Sequence, residues 1–176
     1  KYSVSNRLLM DLIKLEADLN ILKNIEIVPE WKSRLKKESQ VKRIVSCLRF
    51  EGVELNTELV SRIVMDDPGR DETVSEIAMR LGVVGKEKDL QFVINLMNAN
   101  RYVEQVVYLS TRFKQDDLGE KELVQVNKLL GERLQRSEVL GERRTESFVE
   151  NSVLNHPRSH EVPYQIEDLL VWSKSA

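Results

Sequence analysis

Cys47 is the only thiol in the 176 residues, and His156 and His160 are the only imidazoles. A thiol becomes a nucleophile when a base stands beside it, and both histidines lie far downstream in an irregular stretch. A single cysteine on an apolar helical face reads as packing rather than catalysis. His156 and His160 stand four apart, the spacing of two metal ligands on one helix face. Pro157 between them argues against that helix and no third ligand suggests itself, so solvated loop histidines are expected. Gly82 and Gly85 are isolated and no Gly-Lys-Ser/Thr follows a strand pattern, so no phosphate-cradling loop is expected. Residues 73–83, Thr-Val-Ser-Glu-Ile-Ala-Met-Arg-Leu-Gly-Val, are compatible with the opening of a helix-turn-helix. The helix that would then read base edges begins Lys86-Glu87-Lys88-Asp89, whose acids repel phosphates. An ordinary amphipathic helix is the simpler reading there.

The elements that must position these residues are bounded by composition. Lys+Arg 27 against Asp+Glu 29 gives a net charge of −2, which calls for neither a nucleic-acid backbone nor an anionic membrane and leaves only a local basic patch open. One cysteine excludes an internal disulfide and a cysteine-based zinc site, and suits a reducing, cytoplasmic compartment. No apolar run approaches the roughly 18 residues of a membrane span, and Lys1-Tyr2-Ser3-Val4-Ser5 lacks a signal-peptide core. The chain does not open on Met, and we expect it to be a piece of a longer protein.

Gly 7 and Pro 4 are few for this length, and apolar residues recur at three and four, so the fold class expected is all-α. The first helix follows Ser5 as N-cap and carries Leu8, Leu9, Leu12, Ile13, Leu15, Leu19 and Leu22 to about Asn24. Pro29 opens a second, with Trp31, Leu35, Val41, Ile44, Val45 and Leu48 before Gly52; whether Ser39 interrupts it is open. Asn56-Thr57 caps a short helix that ends before Asp66-Asp67-Pro68-Gly69, the clearest breakpoint in the chain. Val74 to Leu81 forms another, closed by Gly82. The longest runs from Lys86 to about Phe113. A further helix follows Asp116-Asp117, with Leu123, Val126, Leu129, Leu130 and Leu134 on one face. Residues 140–162 are polar and weakly alternating, and Pro163 reopens a helix with Ile166, Leu169, Leu170 and Trp172. The expected architecture is a bundle of about six to eight helices with a small β-hairpin near residues 146–157.

Residues 41–55, Val-Lys-Arg-Ile-Val-Ser-Cys-Leu-Arg-Phe-Glu-Gly-Val-Glu-Leu, resemble the inhibitory helix of Fic-family proteins, which carries Ser/Thr-x-x-x-Glu-Gly/Asn. Cys47-x-x-x-Glu51-Gly52 fits that spacing. Three further similarities follow in order: residues 6–38 with Pro29-Glu30-Trp31 upstream; residues 88–95, Lys-Asp-Leu-Gln-Phe-Val-Ile-Asn, with Ala99 and Tyr102-Val103; and Gly141-Glu142-Arg143-Arg144 leading to Val162-Pro163 and residues 166–172. The resemblance spans nearly the whole chain. It departs at Cys47, where the family has a hydroxyl that Ser46, one place earlier, cannot supply. It departs also in lacking the family's His-Pro-Phe-x-x-Gly-Asn-Gly-Arg-x-x-Arg, of which His156-Pro157-Arg158 is only an echo.

The resemblance implies leading helices over residues 1–66 with the inhibitory helix at about 40–52, a connector over 67–85, and the first part of a Fic core over 86–176 without its catalytic half. In the parent it implies AMP transfer from ATP, with Mg²⁺, to a hydroxyl of a target protein, held in check by Cys47, Glu51 and Gly52. Glu51 would pair with the second arginine of the catalytic motif and take the space of the γ-phosphate; here it is expected to be solvated or paired with Arg43, Arg49 or a crossing helix. Phe148, Val149 and Val153 would belong to a flap that docks the target. No catalytic, cofactor-binding or metal-binding residue is assigned within these 176 residues, and no adenylyl transfer is expected from them alone. Self-association through surface left by the missing core is a further expectation. The alternatives are a helix-turn-helix regulator and a non-catalytic helical interaction module.

Overall fold

The computed structural model describes residues 4–114, 118–135 and 157–175. These residues are 78% helical and contain no strand, as the sparse glycine and the three-four periodicity require. Seven α-helices follow one another: α1 Asn6–Asn24, α2 Pro29–Phe50, α3 Thr57–Asp66, α4 Val74–Leu81, α5 Glu87–Phe113, α6 Glu120–Gly131 and α7 Val162–Ser175, the last entered through a 3-10 turn at Ser159–Glu161. The hairpin expected near 146–157 lies almost wholly outside the described residues, as do Phe148, Val149 and Val153.

Local chemistry sets most helix ends. Ser5 Oγ accepts from the Leu8 amide at 3.2 Å, and Asn56 Oδ1 from the Glu58 amide at 2.8 Å, each satisfying a donor that a helix start leaves unpaired. Thr73 and Glu76 form a reciprocal capping box at the start of α4. Gly52 (φ 71°) and Gly82 (φ 60°) stop α2 and α4 in the left-handed region. At both, two backbone bonds close the end: Val53 to the Leu48 carbonyl at 2.8 Å and Gly52 to Arg49 at 3.1 Å, then Val83 to Ala78 at 3.0 Å and Gly82 to Met79 at 3.4 Å. Ser39 does not interrupt α2.

The chain divides into two compact units, Lys1–Ser39 and Gln40–Ala176. In the first, α1 buries no residue, and Trp31 and Leu35 of α2 are exposed. In the second, α2 contributes Val41, Ile44, Val45 and Leu48 to a core completed by Val60, Ile63 and Val64 of α3, Val74 and Ile77 of α4, and Leu90, Val93, Ile94 and Met97 of α5. Each such side chain contributes about 1.5–3 kcal/mol when fully buried. Two arginines fasten the segment between α3 and α4 onto this core. Arg80 donates to the carboxylates of Asp66 and Glu72, and Arg101 of α5 to the Asp67 carboxylate and, at 2.8 Å, to the Pro68 carbonyl.

Candidate functional site

Burial of Val41, Ile44, Val45 and Leu48 fixes the rotation of α2, and its last turn then carries Cys47 and Glu51 together on a flank outside that core stripe. The Glu51 amide donates to the Cys47 carbonyl at 3.1 Å. Glu51 is the last residue before Gly52 turns left-handed, so it occupies the C-cap. Helix dipoles disfavour a carboxylate at that end, which makes Glu51 a residue the local fold does not ask for. Its side chain is exposed and has no hydrogen bond or ion pair among the described residues. Arg43 donates instead to Asn100 Oδ1 at 3.2 Å. Cys47 is half-buried with a free thiol, and the Ser46 hydroxyl bonds back to the Lys42 carbonyl at 2.9 Å.

Cys47, Phe50 and Glu51 line a cleft of about 610 Å³ whose other walls are Phe92 and Leu96 of α5 and Asn127 and Leu130 of α6, with Leu134 just beyond. Phe50 is 90% exposed at its rim. The far wall depends on a polar contact that sequence reasoning missed. Asn95, fully buried in α5, donates through Nδ2 to the Leu130 carbonyl at 2.9 Å and the Glu132 carbonyl at 2.7 Å. Its Oδ1 accepts from Gln91 Nε2 at 2.9 Å. A continuing α6 would give the Leu130 carbonyl to the Leu134 amide; here that amide bonds Gly131 at 3.0 Å. The helix therefore ends at Gly131, and Leu134, expected on the α6 face, sits in the turn after it. A buried-type pattern at 91 and 95, two amides one turn apart on an otherwise apolar face, was the available signal.

Other candidate chemistry is not brought together. His160 is exposed on the 3-10 turn, and His156 lies outside the described residues. No group of three or more His, Cys, Asp or Glu side chains that could hold a metal ion occurs among the described residues. The helix-turn-helix candidate is realised as α4, a short connection and α5. Yet Leu90, Gln91, Val93, Ile94 and Met97 of that second helix are buried, which spends the face a recognition helix would lay in a groove. No helix among the described residues is long and apolar enough to cross a membrane.

No family model, curated protein or solved structure matches this chain. The residues alone must then answer whether the nucleotide and metal implied by the resemblance fit the cleft. They do not. Among the described residues no lysine or arginine lines it, its walls are mainly apolar, and Glu51 is the one charged group, so these residues offer neither counter-charge for a triphosphate nor a ligand set for Mg²⁺.

Proposed function

We propose that these residues form the regulatory and scaffold part of a Fic-type protein adenylyltransferase, a cytoplasmic enzyme that transfers AMP from ATP to a target hydroxyl. The single observation that carries the reading is the placement of Cys47 and Glu51 on an apolar cleft bounded by α5 and α6. Such a cleft, with Phe50 open at its rim, fits one further helix. In the Fic reading that helix bears the catalytic motif, and its second arginine meets the otherwise unpaired Glu51 carboxylate.

On this reading Glu51 acts by charge pairing and by exclusion: it ties up the arginine and stands where a terminal phosphate would come, with nucleotide and metal held by residues of the catalytic half rather than by this cleft. Gly52 ends the helix at once, so that the carboxylate stands at the tip. Cys47 packs at the root of the same turn, where a hydroxyl would have offered Glu51 a hydrogen bond that a thiol offers only weakly. The 176 residues contain no His-Pro-Phe-x-x-Gly-Asn-Gly-Arg, and no transfer step is assigned to them.

The test begins with the source gene beyond codon 176. If the catalytic motif follows in frame, Glu51→Gly in the whole gene product should raise label transfer from ATP and Mg²⁺ to protein. Absence of the motif, or activity indifferent to Glu51→Gly, removes the reading.

A further inference from the structure

The connection between α3 and α4, the middle of α5 and Leu129 of α6 enclose a second cleft, of about 420 Å³, which shares no residue with that of Cys47 and Glu51. Asn98 of α5 lies in its wall and is only 8% exposed. Arg101 fixes which way this amide is turned: a guanidinium only donates, so the atom 3.1 Å from Arg101 Nη1 is the Asn98 oxygen. The Asn98 nitrogen, with two N–H groups, donates to no described residue. Since no fully buried side-chain nitrogen or oxygen lacks a partner among the described residues, that nitrogen opens onto the cleft. A nearly buried amide left half satisfied asks for an acceptor.

Charge says which acceptor. The Arg101 guanidinium is already engaged by the Asp67 carboxylate and the Pro68 carbonyl, and Asp67 is the one acid among the described lining residues, so these two charges cancel. Arg70 lines the same cleft and makes no ion pair or hydrogen bond among the described residues. We infer that the cleft binds a small organic carboxylate, whose single negative charge meets Arg70 and the Asn98 amide and whose apolar body lies against Leu129 and the ring of Tyr102. One unmatched cation beside a neutral donor suits a monoanion, whereas the second charge of a phosphate monoester would go without a counter-charge. The volume is that of a small-molecule site. Because Arg101 already holds the connection against α5, little ordering is left for the ligand to bring about.

Titration calorimetry of the whole chain tests this, with benzoate and phenylacetate as carboxylates, phenyl phosphate as the dianion and benzamide as the uncharged counterpart. One carboxylate should bind per chain with a dissociation constant below about 1 mM, and benzamide and phenyl phosphate about tenfold more weakly or worse. Asn98→Asp keeps an acceptor for Arg101 and puts an anionic oxygen in place of the nitrogen, so carboxylate binding should be lost while the thermal midpoint holds. Arg70 is exposed on its turn, so Arg70→Gln leaves the core alone and should weaken binding about tenfold. Should Asn98→Asp lower the midpoint, Arg70→Gln alone decides. No saturable binding of either carboxylate at about 10 mM, benzamide or phenyl phosphate held as tightly as a carboxylate, or an affinity unchanged in a folded variant would each overturn the inference.

Discussion

Asn95 and Leu130 are joined across two helices: the buried side-chain amide of one donates to the backbone carbonyl of the other at 2.9 Å. The bond ties the end of α6, where the backbone turns extended at Glu132 and left-handed at Arg133, to the middle of α5, and so fixes where the wall of the cleft stands.

Asn95→Ala leaves the part-buried Leu130 and Glu132 carbonyls and the buried Gln91 amide without this partner. Each unsatisfied group costs about 1–3 kcal/mol, so urea unfolding should show a loss of about 3 kcal/mol or more in total. Hydrogen exchange should quicken at the Leu134 and Gln135 amides, both of which now bond Gly131.

Gly52→Ala tests whether the glycine beside Glu51 is there for its backbone. A Cβ at this position would meet nothing within 4 Å, so the whole cost is the left-handed φ, about 1–2 kcal/mol. Gly52→Asn, which tolerates that region better, should recover part of it in thermal unfolding.

Acid should weaken the fold through two carboxylates, one partly buried and one exposed. The Arg80 guanidinium, then the Gly69 amide, hold Glu72 below its ordinary value of 4.5. The Thr73 amide and hydroxyl do the same for Glu76. Both groups thus favour folding while ionised: their contribution is present above the ordinary value and is lost as pH falls through the lowered one. Urea midpoints should be level near neutrality and decline below about pH 4.5. Arg80→Met should flatten that decline, and an unaltered decline would sink the assignment.

The two halves of α5 should respond differently to truncation. Met97 is buried in the core while Val107 is 47% exposed. Met97→Ala should cost about 2–5 kcal/mol and Val107→Ala within about 0.5 kcal/mol, read from denaturant midpoints of the two variants.

The helices were legible because their ends are written locally. Ser5, Pro29, Asn56 and Thr73 start them and Gly52 and Gly82 stop them, each acting within a turn of its own position. Ser39 left no mark on α2, because one weak helix former inside a long amphipathic run cannot outweigh the packing of its neighbours. The end of α6 was not legible, since Leu134 continues the apolar spacing while the backbone turns at Glu132 and Arg133, neither of them a residue that marks a stop. The cleft was hidden for another reason: Cys47 and Glu51 could be placed one turn apart on α2, but the walls come from α5 and α6. The spacing along α5 pointed to a face of Phe92, Leu96, Ala99, Val103, Val106 and Leu109, yet the core is closed by Leu90, Val93, Ile94 and Met97 while Val103 and Leu109 stay exposed, because apolar residues lie on both sides of this helix and the pattern does not say which side a neighbour will cover.

The segment between α3 and α4 carries Asp-Asp-Pro-Gly, the composition of a chain ready to be cut or lengthened. Its backbone and carboxylates are instead held by Arg80 from one helix and Arg101 from another, and Glu72 Oε1 accepts from the Gly69 amide at 2.6 Å. A connection fastened at so many points resists enlargement, because an inserted residue must displace bonds that reach back to the core. Evolutionary drift in length, and any engineer's graft of a tag or a second domain, would meet far more resistance here than the look of the loop suggests.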